Sequence, residues 1–211
     1  MKTTLRTLMI SLILIGLSLG NGFDIKKGTQ TFSFKDERGR NQAIFHSSTP
    51  LEDITGLSSD IWGTVTFDTQ DLKNTLTGEI LISTASLKSG IELRDEHIRS
   101  EGWLDSEHYP TISFKIKEVK SIKKLEANKL EAIIVGDLTI KGITKQTESS
   151  VSLMYLEESE ETKARFPGDL LSVKTSFNII LSDYGIENKI IGQKVADEIE
   201  LNVNIVGSNK I

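Results

Sequence analysis

The sequence predicts an all-β domain built from one antiparallel sheet, folded as either a barrel or a sandwich. Apolar and polar residues alternate with a period of two in about eight segments, the pattern of strands with one buried face. Only the stretch 86–101 has the length and pattern of a helix, which disfavours a fold of alternating strands and helices. Glycines at positions 63, 78, 136 and 142 predict the bends and turns that a closed barrel needs.

The strands follow one another along the chain with short connections. The predicted segments are 31–34, 41–46, 61–67, 77–83, 111–117, 130–140, 146–156, 172–181 and 198–206. The clearest of them places Ile112, Phe114 and Ile116 on one face and lysines on the other. Residues 141–144 are predicted as a hairpin turn, and the acidic run 157–161 as a solvated loop.

The first twenty residues are typical of a secretory signal peptide. Lys2 and Arg6 precede a short apolar run, and small residues follow at its end. We expect cleavage after Gly20, with Gly22 as the alternative, and a single mature domain at 23–211. An uncleaved membrane anchor is the competing interpretation, although serine and glycine interrupt the run. The sequence therefore predicts an exported protein, periplasmic or secreted, without a transmembrane anchor after cleavage.

Charge and cysteine content narrow the classes of partner. The chain carries 25 basic and 30 acidic residues, a net charge of −5, and loss of Lys2 and Arg6 with the signal peptide lowers it to −7. Nucleic acid is therefore not an expected partner, because phosphate-binding surfaces need an excess of basic residues. The chain has no cysteine, so its fold depends on its own core without disulfides.

Residues 94–110 form the most chemically varied stretch of the chain. Asp95, Glu96 and His97 are residue types that serve in acid–base catalysis, but no nucleophile motif accompanies them. Asp95 and Arg99 stand four apart with the acid first, the favourable order for a helical pair. We therefore expect no catalytic residue here and interpret the stretch as a charge network that ties a helix across the mouth of the sheet.

Three histidines leave a metal-dependent or hydrolytic protein open as an alternative. His46, His97 and His108 would supply enough ligands for zinc if the fold brought them together. Their spacing matches no known ligand pair, so the sequence predicts no metal site.

The same stretch resembles the central signature of the YceI-like family. The resemblance starts from RDEHIRS at 94–100, WLD at 103–105 and YPTISF at 109–114. Similar blocks follow in the same order, VGDLTIKGITK at 135–145, LSDYGI at 181–186 and VADEI at 195–199, so that the resemblance spans about 30–206. The signature residues that we assign to structural roles are Arg94, Asp95, His97, Arg99, Tyr109 and Pro110.

Membership of that family implies a lipocalin-like β-barrel that is exported in bacteria. Characterised members hold a long isoprenoid chain, as a polyprenyl phosphate or quinone-like lipid, and catalysis is not an established property. The resemblance therefore implies an isoprenoid-type lipid as partner and no cofactor other than such a lipid. Many members carry arginine where this chain has Leu181, which leaves the head-group preference open.

Strand alternation selects the side chains that we expect to face a bound lipid. These are Phe34, Phe45, Val65, Ile82, Phe114 and Phe177, together with Trp103 at the rim. A barrel with a solid core, acting as a stress or surface protein without a ligand, is a second alternative. The oligomeric state stays open, with a homodimer as one option.

Overall fold

A computed structural model, which describes residues 20–210, shows a closed antiparallel β-barrel. The strands are β1 (Thr29–Ser33), β2 (Gln42–Ser48), β3 (Asp53–Ser58), β4 (Ile61–Asp68), β5 (Thr77–Ser83), β6 (Thr111–Glu126), β7 (Lys129–Ile140), β8 (Ile143–Leu156), β9 (Leu170–Ile180) and β10 (Glu198–Ser208). The helices are α1 (Leu72–Thr75), α2 (Glu92–Arg99) and α3 (Glu160–Lys163), with 3-10 helices at Thr84–Ser86 and Leu181–Tyr184. The predicted signal peptide lies outside the described residues except for Gly20.

Eight of the strands form the closed wall. Their order is β1-β4-β5-β6-β7-β8-β9-β10, and the pairing of Ser33 with Ser208 joins the last strand to the first. β10 also pairs with β2 between Glu200 and Asn204, so the β2–β3 hairpin extends the sheet beside the barrel. The predicted all-β barrel is confirmed, and the sandwich is excluded.

Glycines produce the bends and turns of this wall where the sequence predicted them. Gly63 and Gly78 have φ angles of +132° and +148°, a region that side chains rarely adopt. A Cβ atom on Gly63 would lie 2.1 Å from the carbonyl oxygen of Glu79 on the neighbouring strand. Lys141 and Gly142, with φ of 48° and 76°, form the two-residue turn between β7 and β8.

Aromatic side chains fill one end of the barrel, which we call the closed end. The rings of Phe32 and Phe67 stack with centroids 5.7 Å apart, and Tyr155 meets Phe32 edge-on at 5.6 Å. Phe23 packs against the same cluster, and its N–H donates to the carbonyl of Thr69 across 2.7 Å. These four aromatic residues are almost entirely buried, so the N-terminal part of the described chain seals this end.

Several element boundaries differ from the sequence predictions. β3 was not predicted, and β6 continues nine residues beyond the predicted end at Lys117. The predicted helical stretch 86–101 is helical from Glu92 only, because Lys88 pairs with Leu57 of β3 and Gly90 has a φ of +83°. The acidic run predicted as a loop ends in α3, which starts with a capping box at Ser159.

Candidate functional site

A cavity of about 620 Å³ occupies the barrel interior beyond the closed end. Inward-facing side chains of the wall strands line it, and nearly all of them are aliphatic or aromatic. This volume lies within the range of about 300–1,000 Å³ that is usual for small-molecule sites. The hollow interior argues against the alternative of a solid-core barrel.

All seven residues that the sequence predicted to face a ligand lie on the cavity wall. Phe34 and Val65 are buried where the wall meets the closed-end cluster. Phe45, Trp103 and Phe177 pack together with a second cluster of buried residues toward the other end. The remaining two, Ile82 and Phe114, also line the cavity. Strand alternation thus located the wall of the cavity, and a role of these side chains in binding stays a prediction.

Two hydroxyl groups interrupt the apolar wall without leaving a free donor. The hydroxyls of Ser149 and Thr175 are hydrogen-bonded to each other, and Thr175 Oγ1 donates to the carbonyl of Ser150 across 2.9 Å. Both hydroxyl protons are therefore used within the protein. An apolar ligand can contact this part of the wall without leaving a buried donor unpaired.

The opposite end of the barrel is the mouth of the cavity. Three segments border it: the β2–β3 turn, α2, and the loop between Tyr184 and β10. Arg94 of α2 forms a salt bridge with Glu52 of the β2–β3 turn, and both residues line the cavity. This ion pair joins the helix to the hairpin across the opening, which agrees with the predicted network.

Asp95 fixes α2 from its buried side. Its carboxylate accepts hydrogen bonds from the backbone N–H and the hydroxyl of Ser89, at 2.6 and 2.7 Å. Burial by itself would raise the pKa of Asp95, but the Ser89 hydrogen bonds and the charge of Arg99 together lower it. Arg99 forms no salt bridge with Asp95 within residues 20–210, so its effect is through charge alone.

The remaining signature residues connect α2 to the barrel. The backbone carbonyls of Tyr109 and Pro110 accept hydrogen bonds from Thr84, at 2.9 Å from its hydroxyl and 3.0 Å from its N–H. β6 begins directly after the proline, which restricts the preceding residue to an extended conformation. His97 is exposed and lines the mouth of the cavity.

The three histidines lie in separate surroundings. Nδ1 of His46 is 3.0 Å from the hydroxyl of Thr55, and Nδ1 of His108 is 2.9 Å from Asp105 Oδ1. The hydrogen bond to Asp105 raises the pKa of His108. Across residues 20–210, no group of three or more histidine, cysteine, aspartate or glutamate side chains is placed to hold a metal ion. The metal alternative thus has no supporting geometry in this part of the chain.

Three polar residues of the mouth were not predicted from the sequence. Ser47, Glu52 and Lys194 all line the cavity, but they come from a strand end and two loops far apart in the chain. Ser47 Oγ accepts a hydrogen bond from the backbone N–H of Ala196 across 2.8 Å, which brings two of these segments together. No local sequence pattern predicts such a meeting. Leu181 is buried on the cavity wall.

The family model described as the YceI-like domain matches residues 25–207. The chain belongs to the YceI-like family. A UPF0312 protein of Photorhabdus laumondii is 31% identical over 154 residues, which is 73% of each chain. The match to the family model covers the strands up to Gly207 and all residues that line the cavity, whereas Phe23 of the closed end and Ser208 at the end of β10 lie just outside it.

Solved structures of other bacterial proteins share the fold. BcnA of Burkholderia cenocepacia superposes with a TM-score of 0.62 at 18% identity, over 82% of this chain and 99% of BcnA. A polyisoprenoid binding domain from Saccharophagus degradans, implicated in plant cell wall breakdown, gives a TM-score of 0.63 at 11% identity. That comparison covers 85% of this chain and 98% of the other. At these identities the likeness establishes the barrel fold.

Between residues 20 and 210, none of the helices combines the length and the apolar character needed to cross a membrane.

Proposed function

We propose that this chain is an exported, non-enzymatic binding or carrier protein for a long apolar lipid of the isoprenoid type, held inside the barrel. The observation that carries the proposal is the cavity of about 620 Å³ with its almost entirely apolar wall. The Saccharophagus structure, described as a polyisoprenoid binding domain, has the same fold and supports the choice of ligand class. The signal-like start of the sequence supports export to the periplasm or the medium.

Burial of an apolar chain is sufficient for tight binding at such a wall. Each buried methylene group contributes about 0.8 kcal/mol, so ten of them contribute a gross gain of about 8 kcal/mol. Ordering of the ligand and loss of its free motion offset part of this gain. The wall has no need of a reactive group, which agrees with the lack of a nucleophile motif in the sequence.

Native mass spectrometry combined with lipid extraction tests the proposal directly. Protein purified from a bacterial host is expected to carry a co-purifying polyprenyl or quinone-like lipid, or to take one up when it is added. A protein that stays empty in the presence of both lipid types would contradict the proposal.

A substitution within the cavity sharpens this experiment. Val173 points into the cavity from β9, so Val173→Trp fills part of the space and is expected to lower the bound lipid at least about tenfold, because overpacking leaves less room for the chain. Lys174 is the next residue on the same strand and faces solvent, which makes Lys174→Trp the matched control. Equal lipid content in the two variants would place the ligand outside this cavity.

A further inference from the structure

Apolar side chains that face solvent surround the mouth of the cavity. Ile91, Leu93 and Ile190 line the cavity and are nevertheless 51%, 61% and 38% exposed. Leu51, at 75% the most exposed large apolar residue within 20–210, is the neighbour of Glu52 on the same mouth. Three separate segments thus each bring leucine or isoleucine to one opening. We call these four residues the apolar rim.

Among residues 20–210, the apolar rim has no equivalent at the closed end. Leu125, near the turn between β6 and β7, is exposed by 39% there but lies away from the cavity. Clustered exposed apolar residues on a water-soluble domain mark a contact surface, whereas single ones are ordinary. The contact surface of this barrel is therefore at its mouth, continuous with the apolar wall of the cavity.

One basic side chain in the cavity lining is available to a partner at the mouth. The charged side chains that line it are Glu52, Arg94 and Lys194. Arg94 is paired with Glu52, whereas Lys194 forms no salt bridge with any residue in the range 20–210. Exposed acidic residues such as Glu92, Glu96 and Glu187 lie on the same segments, so the mouth has no overall positive charge. Exposed leucine and isoleucine beside a cation that can reach a phosphate are a combination that binds the interfacial layer of a phospholipid bilayer.

We propose that the apolar rim docks this protein on the surface of a phospholipid bilayer, with the mouth toward the membrane. The inference rests on the proposed lipid-binding function. An apolar chain avoids water on its way between a bilayer and the cavity only if the mouth is seated on the bilayer. Leu93 and Ile190 then contact the interfacial layer, and Lys194 faces the lipid phosphates.

The absence of cysteine from the sequence allows a site-specific test in the full chain. Leu93→Cys, Ile190→Cys and Leu125→Cys are each labelled with an environment-sensitive fluorophore and mixed with vesicles of phosphatidylcholine and phosphatidylglycerol in equal parts. Ile190 and Leu125 are matched controls, because their exposures of 38% and 39% are nearly equal. Labels at 93 and 190 are expected to shift to the blue and brighten on the order of twofold, while the label at 125 is unchanged.

Other results would overturn the docking proposal. Fluorescence of the labels at 93 and 190 that does not change on addition of vesicles would contradict the proposal. An equal response of the label at 125 would also contradict it, because binding would then not be specific to the mouth. A blue shift without vesicles that grows with protein concentration would assign the apolar rim to a second copy of the chain.

Introducing a negative charge into the apolar rim provides an independent test of docking. Leu93→Asp combined with the label at 190 is expected to weaken vesicle binding at least about tenfold, because a carboxylate would have to enter the interface. Leu93 is largely exposed, so an unchanged melting temperature is expected and verifies that the variant is folded. Undiminished vesicle binding by Leu93→Asp would count against the proposal.

The lipid extraction experiment keeps the two proposals separable. A lipid-filled protein whose labels ignore vesicles would contradict docking and leave the binding function intact. A protein that docks through residues 93 and 190 but never carries lipid would contradict the binding function and leave docking intact.

Discussion

At the scale of single residues, Asn41 closes the barrel where backbone pairing is interrupted. β10 pairs with β1 only at Ser208 and with β2 only from Glu200 to Asn204, which leaves Val206 without a strand partner on that side. Asn41 Oδ1 accepts from the Val206 N–H across 2.8 Å, and its Nδ2 donates to the carbonyls of Val206 and Phe34 at 3.2 and 2.8 Å. One fully buried side chain thus supplies hydrogen bonds in place of the missing backbone pairing between strands.

Asn41→Ala is expected to lower the free energy of unfolding by about 1–3 kcal/mol, because buried backbone groups then lose their partners. Urea denaturation followed by circular dichroism measures this loss. Asn204→Ala on β10 removes an exposed asparagine and is expected to change stability by less than about 0.5 kcal/mol. A loss of equal size in both variants would refute the role assigned to Asn41.

Alternation predicted the apolar residues of the site because it depends only on the local backbone. In a strand, every second side chain faces the same side of the sheet. The inward direction of Phe114 and of Phe177 can therefore be predicted from the alternation within its own strand. Glu52 and Lys194 occupy loops, where no periodicity determines direction. Their position at the mouth results from the packing of distant segments, which a single sequence does not reveal.

At the scale of elements, two tethers hold α2 across the mouth. One is the Arg94–Glu52 salt bridge to the β2–β3 turn, and the other is the pair of hydrogen bonds from Ser89 to the carboxylate of Asp95. The lowered pKa of Asp95 means that the native state favours the ionised carboxylate. Its stabilising effect is present above its ordinary pKa of about 4 and is lost as the pH falls through the lowered native value.

Asp95→Ala is expected to speed amide hydrogen exchange within α2 about tenfold at neutral pH, because the helix loses its buried tether. Hydrogen exchange with mass spectrometry resolves this peptide, and strands such as β7 serve as an internal reference. Glu96→Ala, at the neighbouring exposed position, is the control and is expected to leave exchange unchanged. Protection of α2 that survives Asp95→Ala would show that the helix is held by other contacts.

The elements that the sequence did not predict depend on one another. In β3, the inward positions after Ile54 are Gly56 and Ser58, so the strand lacks the apolar alternation that identifies the others. A Cβ atom on Gly56 would lie 2.3 Å from the ring of Phe45, which explains the need for glycine there. The chain between Ser86 and Glu92 is not helical, because Lys88 pairs with Leu57 of this unpredicted strand and Gly90 has a φ of +83°. One missed strand thus led to a helix predicted too long.

At the scale of the whole molecule, the barrel divides into a packed part and a hollow part. The aromatic cluster at the closed end contains Phe32, which is fully buried, in contact with two other rings and not part of the cavity lining. Phe177 belongs to the hollow part, where one side of its ring borders the cavity. Stability and ligand binding are therefore expected to depend on different phenylalanines.

Phe32→Ala is expected to cost about 3–5 kcal/mol of unfolding free energy, because its neighbours are packed on all sides and a new cavity results. Phe177→Ala enlarges a space that already exists, so we expect a cost of about 1.5 kcal/mol, near the lower limit for burial of a large apolar side chain. Urea denaturation measures both costs, and lipid extraction from the same samples measures retention of the ligand. Without denaturant, at a temperature at which both variants are folded, Phe177→Ala is expected to lose more lipid than Phe32→Ala. Equal destabilisation with equal lipid retention would contradict the division into a packed end that holds the barrel together and a hollow part that holds the ligand.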